Sequence, residues 1–450
     1  MVRRVALFAV SVAIFLATAE VFGLAVFYWD TGNLYYLYRR PADPIFEAAD
    51  TRLTGEALHP YFGITHKAGY PFAIPEALRP ERPRPPMATN NYGFVATSDY
   101  PVARTSDRQF VIGIFGGSVG VWFCGVGVPT LLDELARHPF FRDRELVPLC
   151  FSHEGYKQPQ QLQVLSYFLS LGQPFDLVIN IDGFNEVALS SINDQRGIEI
   201  AMPSTQHLEP LVNLVNRFTL TPEKLQSLAA IGRDRATLAR IDRWRTGGNR
   251  EPALSRFARH SAALNIVLER YAGFVRARYE RERVAFDQLP SNPSGNSIIE
   301  VAPRTGDTSA ALFDRVSRNW AQASVLMRDM LAAKNIPYVH VLQPNQYFTT
   351  RRFSEDEARV AINPASPFKR GAEAGYTALV NGPGPALLKD QGVRFLDGTR
   401  IFDAESAPVY IDDCCHYTRR GYELLARFLA NAILQPDGLS IRGATGAAGR

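Results

Sequence analysis

No compact basic run, internal repeat or low-complexity tract occurs in the 450-residue chain. Its formal charge of +4, from 49 basic and 45 acidic residues, is small for this length. Without a clustered basic face there is no electrostatic footprint for nucleic acid, and no such partner is expected. No Gly-Lys-Ser/Thr follows the glycine turn at Gly116-Gly117, and Gly125 and Gly127 do not complete G-x-G-x-x-G, so both common phosphate-binding loops are missing. No cofactor or metal is expected. Cysteine is sparse, with only Cys124, Cys150, Cys414 and Cys415. Four cysteines allow three connectivities, and the sequence leaves the choice open. What is abundant is ordinary globular material: 46% hydrophobic and 21% charged residues give room for one large domain or two small ones.

The first residues set the compartment. Arg3 and Arg4 precede an apolar stretch from Val5 to Phe27, interrupted by Ser11, Thr18, Glu20 and Gly23, and this length suits one membrane span. Ala17-Thr18-Ala19 before Glu20 also fits a small-x-small cleavage site, which makes a removed signal peptide the alternative. A retained anchor over residues 1–29 is preferred, because Val21 to Phe27 stays apolar and Tyr28-Trp29 resembles an interfacial aromatic belt. Both readings export the body of the chain. The expected placement is a single pass through the inner membrane with the body on the periplasmic side. Arg39 and Arg40 match Arg3 and Arg4 in number, so the positive-inside count is nearly tied.

Residues 30–107 are rich in Pro, Arg and Tyr without a long periodic run, and Pro80 to Pro86 reads as polyproline, so an extended strap is predicted. From Gln109 onward apolar strands alternate with helices. The strands are Phe110 to Phe115, Glu145 to Phe151, Phe175 to Ile181, Pro337 to Leu342 and Val393 to Leu396. The helices are Pro129 to Arg137, Pro159 to Leu171, Ser309 to Lys334, Ala372 to Leu388 and Thr418 to Ile433. Such alternation predicts an α/β fold with a five-stranded parallel sheet and helices on both faces. The long segment 190–308, with helices predicted from Pro222 to Trp244 and Pro252 to Phe286, is an insertion expected to cap one end of the sheet. Pro290 to Gly295 and Pro303 to Gly306 mark its exit, and 434–450 reads as a flexible tail.

Chemistry-bearing residues fall at strand ends. Gly116-Gly117-Ser118-Val119-Gly120 fits the strand-turn-helix elbow that exposes a serine, although such turns also serve simply to reverse the chain. Gly155 follows the second strand and is otherwise a turn glycine. Asn185 follows the third, where an amide can donate to an oxyanion or form an Asx turn or helix cap. Asp413 and His416 share one short turn; a hydroxyl becomes a useful nucleophile when an imidazole takes its proton and a carboxylate fixes the tautomer. The bland reading of that turn is an Asp capping the last helix. His153, His207, His260 and His340 have no comparable partner spacing, and His340 reads as a packed strand residue.

In combination these blocks resemble the SGNH (GDSL-type) hydrolases. The first block corresponds to Gly116-Gly117-Ser118, with Gly117 where the family name has Asp. Gly155 corresponds to the second block. Asn185 belongs to the third, with Glu186 in place of Asp, and Asp413 with His416 matches the D-x-x-H block. The resemblance covers 108–433 apart from the insertion. The stretches from Gly155 to Gln161, Asp182 to Glu186 and Leu342 to Tyr347 are similar to a membrane-associated bacterial subgroup. It implies a flavodoxin-like three-layer α/β/α domain in which Ser118 is the nucleophile and His416 the base steadied by Asp413. The Ser118 and Gly155 amides and the Asn185 side chain form the implied oxyanion hole. It further implies an esterase acting on an acylated envelope glycan or lipid, an O-acyltransferase to a polysaccharide, or a non-catalytic envelope protein on the same scaffold. Trp122, Phe123, Phe184 and Tyr417 lie near the motif loops and are candidate substrate contacts. All four cysteines are expected near one sheet edge, where a disulfide between Cys124 and Cys414 or Cys415 would brace the loops.

Overall fold

A computed structural model of the chain describes residues 2–38, 55–72, 74–75, 78, 87–215, 221–246, 260–289, 301–305 and 311–435. The polyproline stretch, Arg39 and Arg40, the start of the Pro252 helix, the exit loop at 290–295 and most of the predicted tail lie outside the described residues. The chain divides into two compact units: residues 1–54 with 213–299, and residues 55–212 with 300–450.

The helices and strands, in chain order, are α1 (Val2–Thr31), β1 (Glu56–His59), β2 (Gly63–His66), β3 (Pro71–Phe72), β4 (Met87–Ala88), β5 (Gln109–Gly116), α2 (Ser118–Trp122), α3 (Val128–Ala136), β6 (Glu145–Ser152), α4 (Gln160–Ser170), β7 (Leu177–Asp182), α5 (Phe184–Gln195), α6 (Thr205–Val215), α7 (Pro222–Thr246), α8 (Ala262–Gln288), α9 (Leu312–Ala332), β8 (Tyr338–Leu342), α10 (Glu355–Ala361), α11 (Lys369–Asn381), α12 (Pro383–Asp390), β9 (Phe395–Asp397) and α13 (Arg419–Leu434).

In the larger unit β5 to β9 form the expected parallel sheet, in the order β6-β5-β7-β8-β9. Central strand β7, Leu-Val-Ile-Asn-Ile-Asp, is buried at all six positions. A parallel strand covered on both faces requires such a near-continuous apolar run. Its two polar residues bond to each other, and Asp182 also binds neighbouring side chains. Asn180 Nδ2 donates to Asp182 Oδ2 at 2.6 Å, Trp320 Nε1 donates to Asp182 Oδ1 at 2.7 Å, and His340 Nε2 lies 2.7 Å from that same oxygen. His340 is thus the packed strand residue its sequence context predicts, with Nδ1 facing Ser324 Oγ at 2.8 Å.

Two expected elements differ. The predicted helix from Ala372 to Leu388 is broken into α11 and α12 at Gly382-Pro383, where proline lacks the N–H that would continue the ladder but suits a first helical turn. The predicted strap folds, where described, into the antiparallel pairs β1/β2 and β3/β4. Phe62, Ile64, Phe94 and Tyr100 from this segment are buried in the same core as the sheet.

The long helices of the insertion, α7 and α8, fall in the unit that contains α1. α7 and α8 pack through Leu238, Ile241, Ala272, Val275 and Tyr279, and Arg278 pairs with Asp234 across them. α1 is apolar and long enough to cross a membrane. The Ser118–Ala136 segment is also apolar and of similar length to a span, but it is partly buried core in the sheet unit.

The disulfide joins Cys124 to Cys150, not Cys124 to Cys414 or Cys415, whose thiols are free. Cys124 lies in the turn between α2 and α3, and Cys150 lies on β6, against which α2 packs, so the two Cα atoms are 6.0 Å apart. The bond closes a sequence separation of 26 residues, for which the chain-entropy relation gives about 3.5 kcal/mol. The paired change Cys124→Ser/Cys150→Ser is therefore expected to lower the thermal midpoint, and reduction should lower that of the wild type similarly. Equal midpoints for oxidised wild type and the double variant would contradict this contribution.

Candidate active site

Parallel register brings three motif loops out at one edge. Gly116 at the end of β5 lies opposite Ser152 on β6 and Ile181 on β7, so the chains leading to Ser118, Gly155 and Asn185 emerge side by side. Ser118 is the first residue of α2, where a backbone N–H has no partner within the helix. Gly117 precedes it in extended conformation, and a Cβ there would lie 2.2 Å from Asn185 Nδ2 and 3.1 Å from the Tyr156 carbonyl oxygen. This close approach accounts for glycine at position 117.

Asn185 is 9% exposed at the start of α5 and donates from Nδ2 to the Tyr156 carbonyl at 2.8 Å. That bond ties the third motif loop to the second. Gly155 adopts φ +75°, and a Cβ there would meet the His207 ring at 2.6 Å, so both backbone and space favour glycine. Among the described residues the Gly155 N–H meets no acceptor.

His416 comes from the far end of the chain. Its Nε2 lies 2.7 Å from Ser118 Oγ. The carboxylate on its Nδ1 is Asp412, not Asp413. The turn explains the change: Ile411 N–H donates to the His416 carbonyl at 3.1 Å, closing a loop with Asp412 inside it. Asp412 Oδ1 then accepts the backbone N–H groups of Cys414, Cys415 and His416 at 3.0, 3.0 and 3.2 Å, while Oδ2 faces the imidazole. Burial pushes the Asp412 carboxyl up, but the His416 bond and charge and these amides outweigh it and hold it below the usual value. Asp413 turns outward and accepts from Asn363 Nδ2 at 2.7 Å.

The turn is held by the stretch after β8. Asn345 Nδ2 donates to the Cys414 carbonyl and Gln346 Nε2 to the Asp412 carbonyl, each at 3.0 Å, and Tyr347 OH donates to the Asp413 carbonyl at 2.9 Å. These positions carry no reactive group, so spacing alone gave no sign of this bracing. Tyr417 is fully buried and donates its hydroxyl to the Pro344 carbonyl at 2.6 Å. Phe184 and Phe123 are also buried, Phe184 edge-on to Phe368. None of these three offers a face to a ligand, which corrects the expectation for Phe184, Phe123 and Tyr417. Trp122 remains half-buried, 5.0 Å from the Phe72 ring.

Glu186, another residue without a predicted role, locks two loops together. Its Oε2 accepts the Gly183 N–H at 2.7 Å and its Oε1 the Gln158 N–H at 2.9 Å, forming the third-position half of a capping box on α5. Burial, followed by the Asp182 charge, pushes this carboxyl up to about 8.

Among the described residues, two side-chain groups have metal-ligand spacing. In Cys414, Cys415 and His416, both imidazole nitrogens already face Ser118 and Asp412. In His66, His153 and Glu154, His66 Nε2 pairs with Glu154 Oε2 at 2.9 Å and His153 Nδ1 faces the Glu154 carbonyl at 2.8 Å. Burial pushes Glu154 up, yet the His66 charge and hydrogen bond bring it down to about 2. His153 is pushed down to about 3 by burial and the His66 charge. This ion-paired group adjoins Gly155 and steadies the loop that carries it.

A scan against protein-family models matched none, and a search of curated proteins returned no match.

The geometry yields two predictions. Asp412→Asn is expected to slow acylation of Ser118 by a fluorophosphonate by roughly three to four orders of magnitude, as loss of the tautomer-fixing carboxylate does elsewhere. Asp413→Asn should change it little, and the reverse ranking would reject the Asp412 assignment. For Glu186 the folded-state value near 8 lies above the ordinary 4.5. The stability linked to its neutral form is therefore complete below the unfolded value and is lost as pH rises through the folded one. Glu186→Gln should flatten the fall in thermal midpoint over that window, and an unchanged slope would count against a neutral buried Glu186.

Proposed function

We propose that the chain is a serine esterase of the SGNH type that cleaves acyl esters of an envelope glycan or lipid through an acyl-Ser118 intermediate. The observation carrying this reading is the 2.7 Å approach of His416 Nε2 to Ser118 Oγ, with Asp412 on the other imidazole nitrogen. Ser118 Oγ attacks the acyl carbonyl while its proton passes to His416 Nε2, and Asp412 stabilises the resulting imidazolium. As the tetrahedral adduct collapses, the ester C–O bond breaks and the leaving alcohol takes the proton from His416. Water then attacks the acyl-serine, again giving its proton to His416, and release of the acid restores the Ser118 hydroxyl.

The oxyanion is stabilised by the N–H groups of Ser118 and Gly155 and by Asn185, each donor contributing about 3 kcal/mol to barrier lowering. One Asn185 N–H is held by Tyr156, which orients the amide and leaves the second for the oxyanion. The sheet order, with β5 flanked by β6 and β7, is that of flavodoxin-like folds and supports the three-layer α/β/α reading. The Cys124–Cys150 bond supports an oxidising location. Together with the apolar α1, it favours a single-pass inner-membrane protein whose body is periplasmic.

Ser118→Ala is expected to abolish cleavage of p-nitrophenyl acetate and labelling by a fluorophosphonate, with circular dichroism and thermal midpoint preserved. Retained turnover in that folded variant would remove the nucleophile assignment.

A further inference from the structure

Within the smaller unit, the apolar helix α1 is joined side by side to α8. Glu20, the one acidic residue inside the apolar stretch, accepts from Ser261 Oγ at 2.7 Å and from the backbone N–H groups of Ala262 and Ala263 at 2.6 and 3.4 Å. It therefore caps the N-terminus of α8 from another helix, where positive backbone charge favours a carboxylate. Gly23 lets the backbones touch, since a Cβ there would lie 2.5 Å from the Ala263 nitrogen. Further along, Arg270 Nη2 donates to Asp30 Oδ2 at 2.6 Å. From Glu20 to Asp30 is about 15 Å of helix and from Ser261 to Arg270 about 14 Å, so the segments run alongside in the same direction.

The composition of α8 changes at the level of the second bond. From Ser261 to Leu268 the sequence is Ser-Ala-Ala-Leu-Asn-Ile-Val-Leu, without charge, and Glu269 and Arg270 follow at once. Asn265 is buried and its side chain donates to the Ser261 carbonyl. Ala272, Val275 and Tyr279 pack toward α7. Leu264, Val267, Tyr271 and Phe274, three or four residues apart, instead form an exposed stripe, from 37% at Leu264 to 65% at Val267. If the aromatic pair Tyr28-Trp29 marks the surface of a bilayer spanned by α1, Glu20 lies about 12 Å deeper. A carboxylate there is costly unless it is paired, and the α8 amides supply the partners.

We propose that the first two turns of α8 are a second membrane contact, held against the spanning helix with Leu264 and Val267 facing lipid in the leaflet at the Tyr28-Trp29 end and Tyr271 at its surface. The occupant at Leu264 and Val267 is bilayer because this part of α8 is fastened to α1 at two levels, and because charge is missing from α8 between those levels, from Ser261 to Leu268. This inference rests on α1 being a membrane helix and is independent of the esterase proposal. It also gives Glu20 a reason to be retained: cleavage after Ala19 would remove most of the anchor and leave α8 without its membrane-spanning partner.

The test places a photoreactive benzophenone amino acid singly at Phe15, Leu264, Val267 and Arg283 of the full chain in phosphatidylcholine proteoliposomes, with adducts identified by mass spectrometry. Lipid adducts are expected at 15, 264 and 267 and not at 283. Lipid adducts at 15 without any at 264 or 267 would overturn the inference while preserving the anchor, and crosslinks from 267 to a second copy would overturn it in favour of an interface. Absence at all positions would overturn both readings. In a Glu20→Ala background the lipid-adduct yield at 267 should fall several-fold while that at 15 is unchanged; an undiminished yield at 267 would reject docking through Glu20.

Discussion

The site depends on a constraint of parallel pairing: neighbouring strands run in one direction, so their carboxyl ends lie at one edge of the sheet. β5, β6 and β7 share a register in which Gly116 faces both Ser152 and Ile181, so three loops distant in sequence leave the sheet at one edge. Loops become a site only when cross-links remove their freedom. The Asn185 to Tyr156 bond, the Glu186 bonds to Gly183 and Gln158, and the Cys124–Cys150 bond supply those links between successive loops.

The imidazole reaches the serine by a different route. Its turn is not extended from a paired strand but folded around one carboxylate, with Asp412 collecting three amides and the ring. A second layer fixes that turn, as the side chains of Asn345, Gln346 and Tyr347 hold its carbonyls. Upstream, the buried Arg351 and Glu357 pair adds anchorage, because Glu357 Oε1 also accepts the Val409 and Tyr410 N–H groups. Burying such a pair is expensive in desolvation, and its value here is positional: it sets where the turn begins. The polar residues around the turn thus serve geometry more than net stability.

The smaller unit applies the same logic to the apolar helix α1. Glu20 looks anomalous in an apolar stretch, and by sequence it argues either for cleavage or for a costly buried charge. Its partners turn it into a helix cap. The same carboxylate that weakens α1 as an isolated span gives α8 a place to begin, so the two helices are better understood as one element.

Strands β5 to β9 and the main helices of the sheet unit were legible in sequence because apolar period and turn residues are local properties, and Ser118, Gly155, Asn185 and His416 were legible because each sits where a strand or helix changes direction. The cysteine pairing, the burial of Phe184 and Tyr417, the bracing by residues 345–347 and the grouping of α7 and α8 with α1 were not. Each depends on which distant surface a side chain meets. The choice between Asp412 and Asp413 shows the boundary most sharply. Both acids stand within four residues of the histidine, and spacing cannot tell them apart. The sequence by itself determined that a carboxylate would lie beside His416. Only the closed turn decided which one, because a single side chain fits inside a loop joined from Ile411 to His416 while its neighbour must point out toward Asn363.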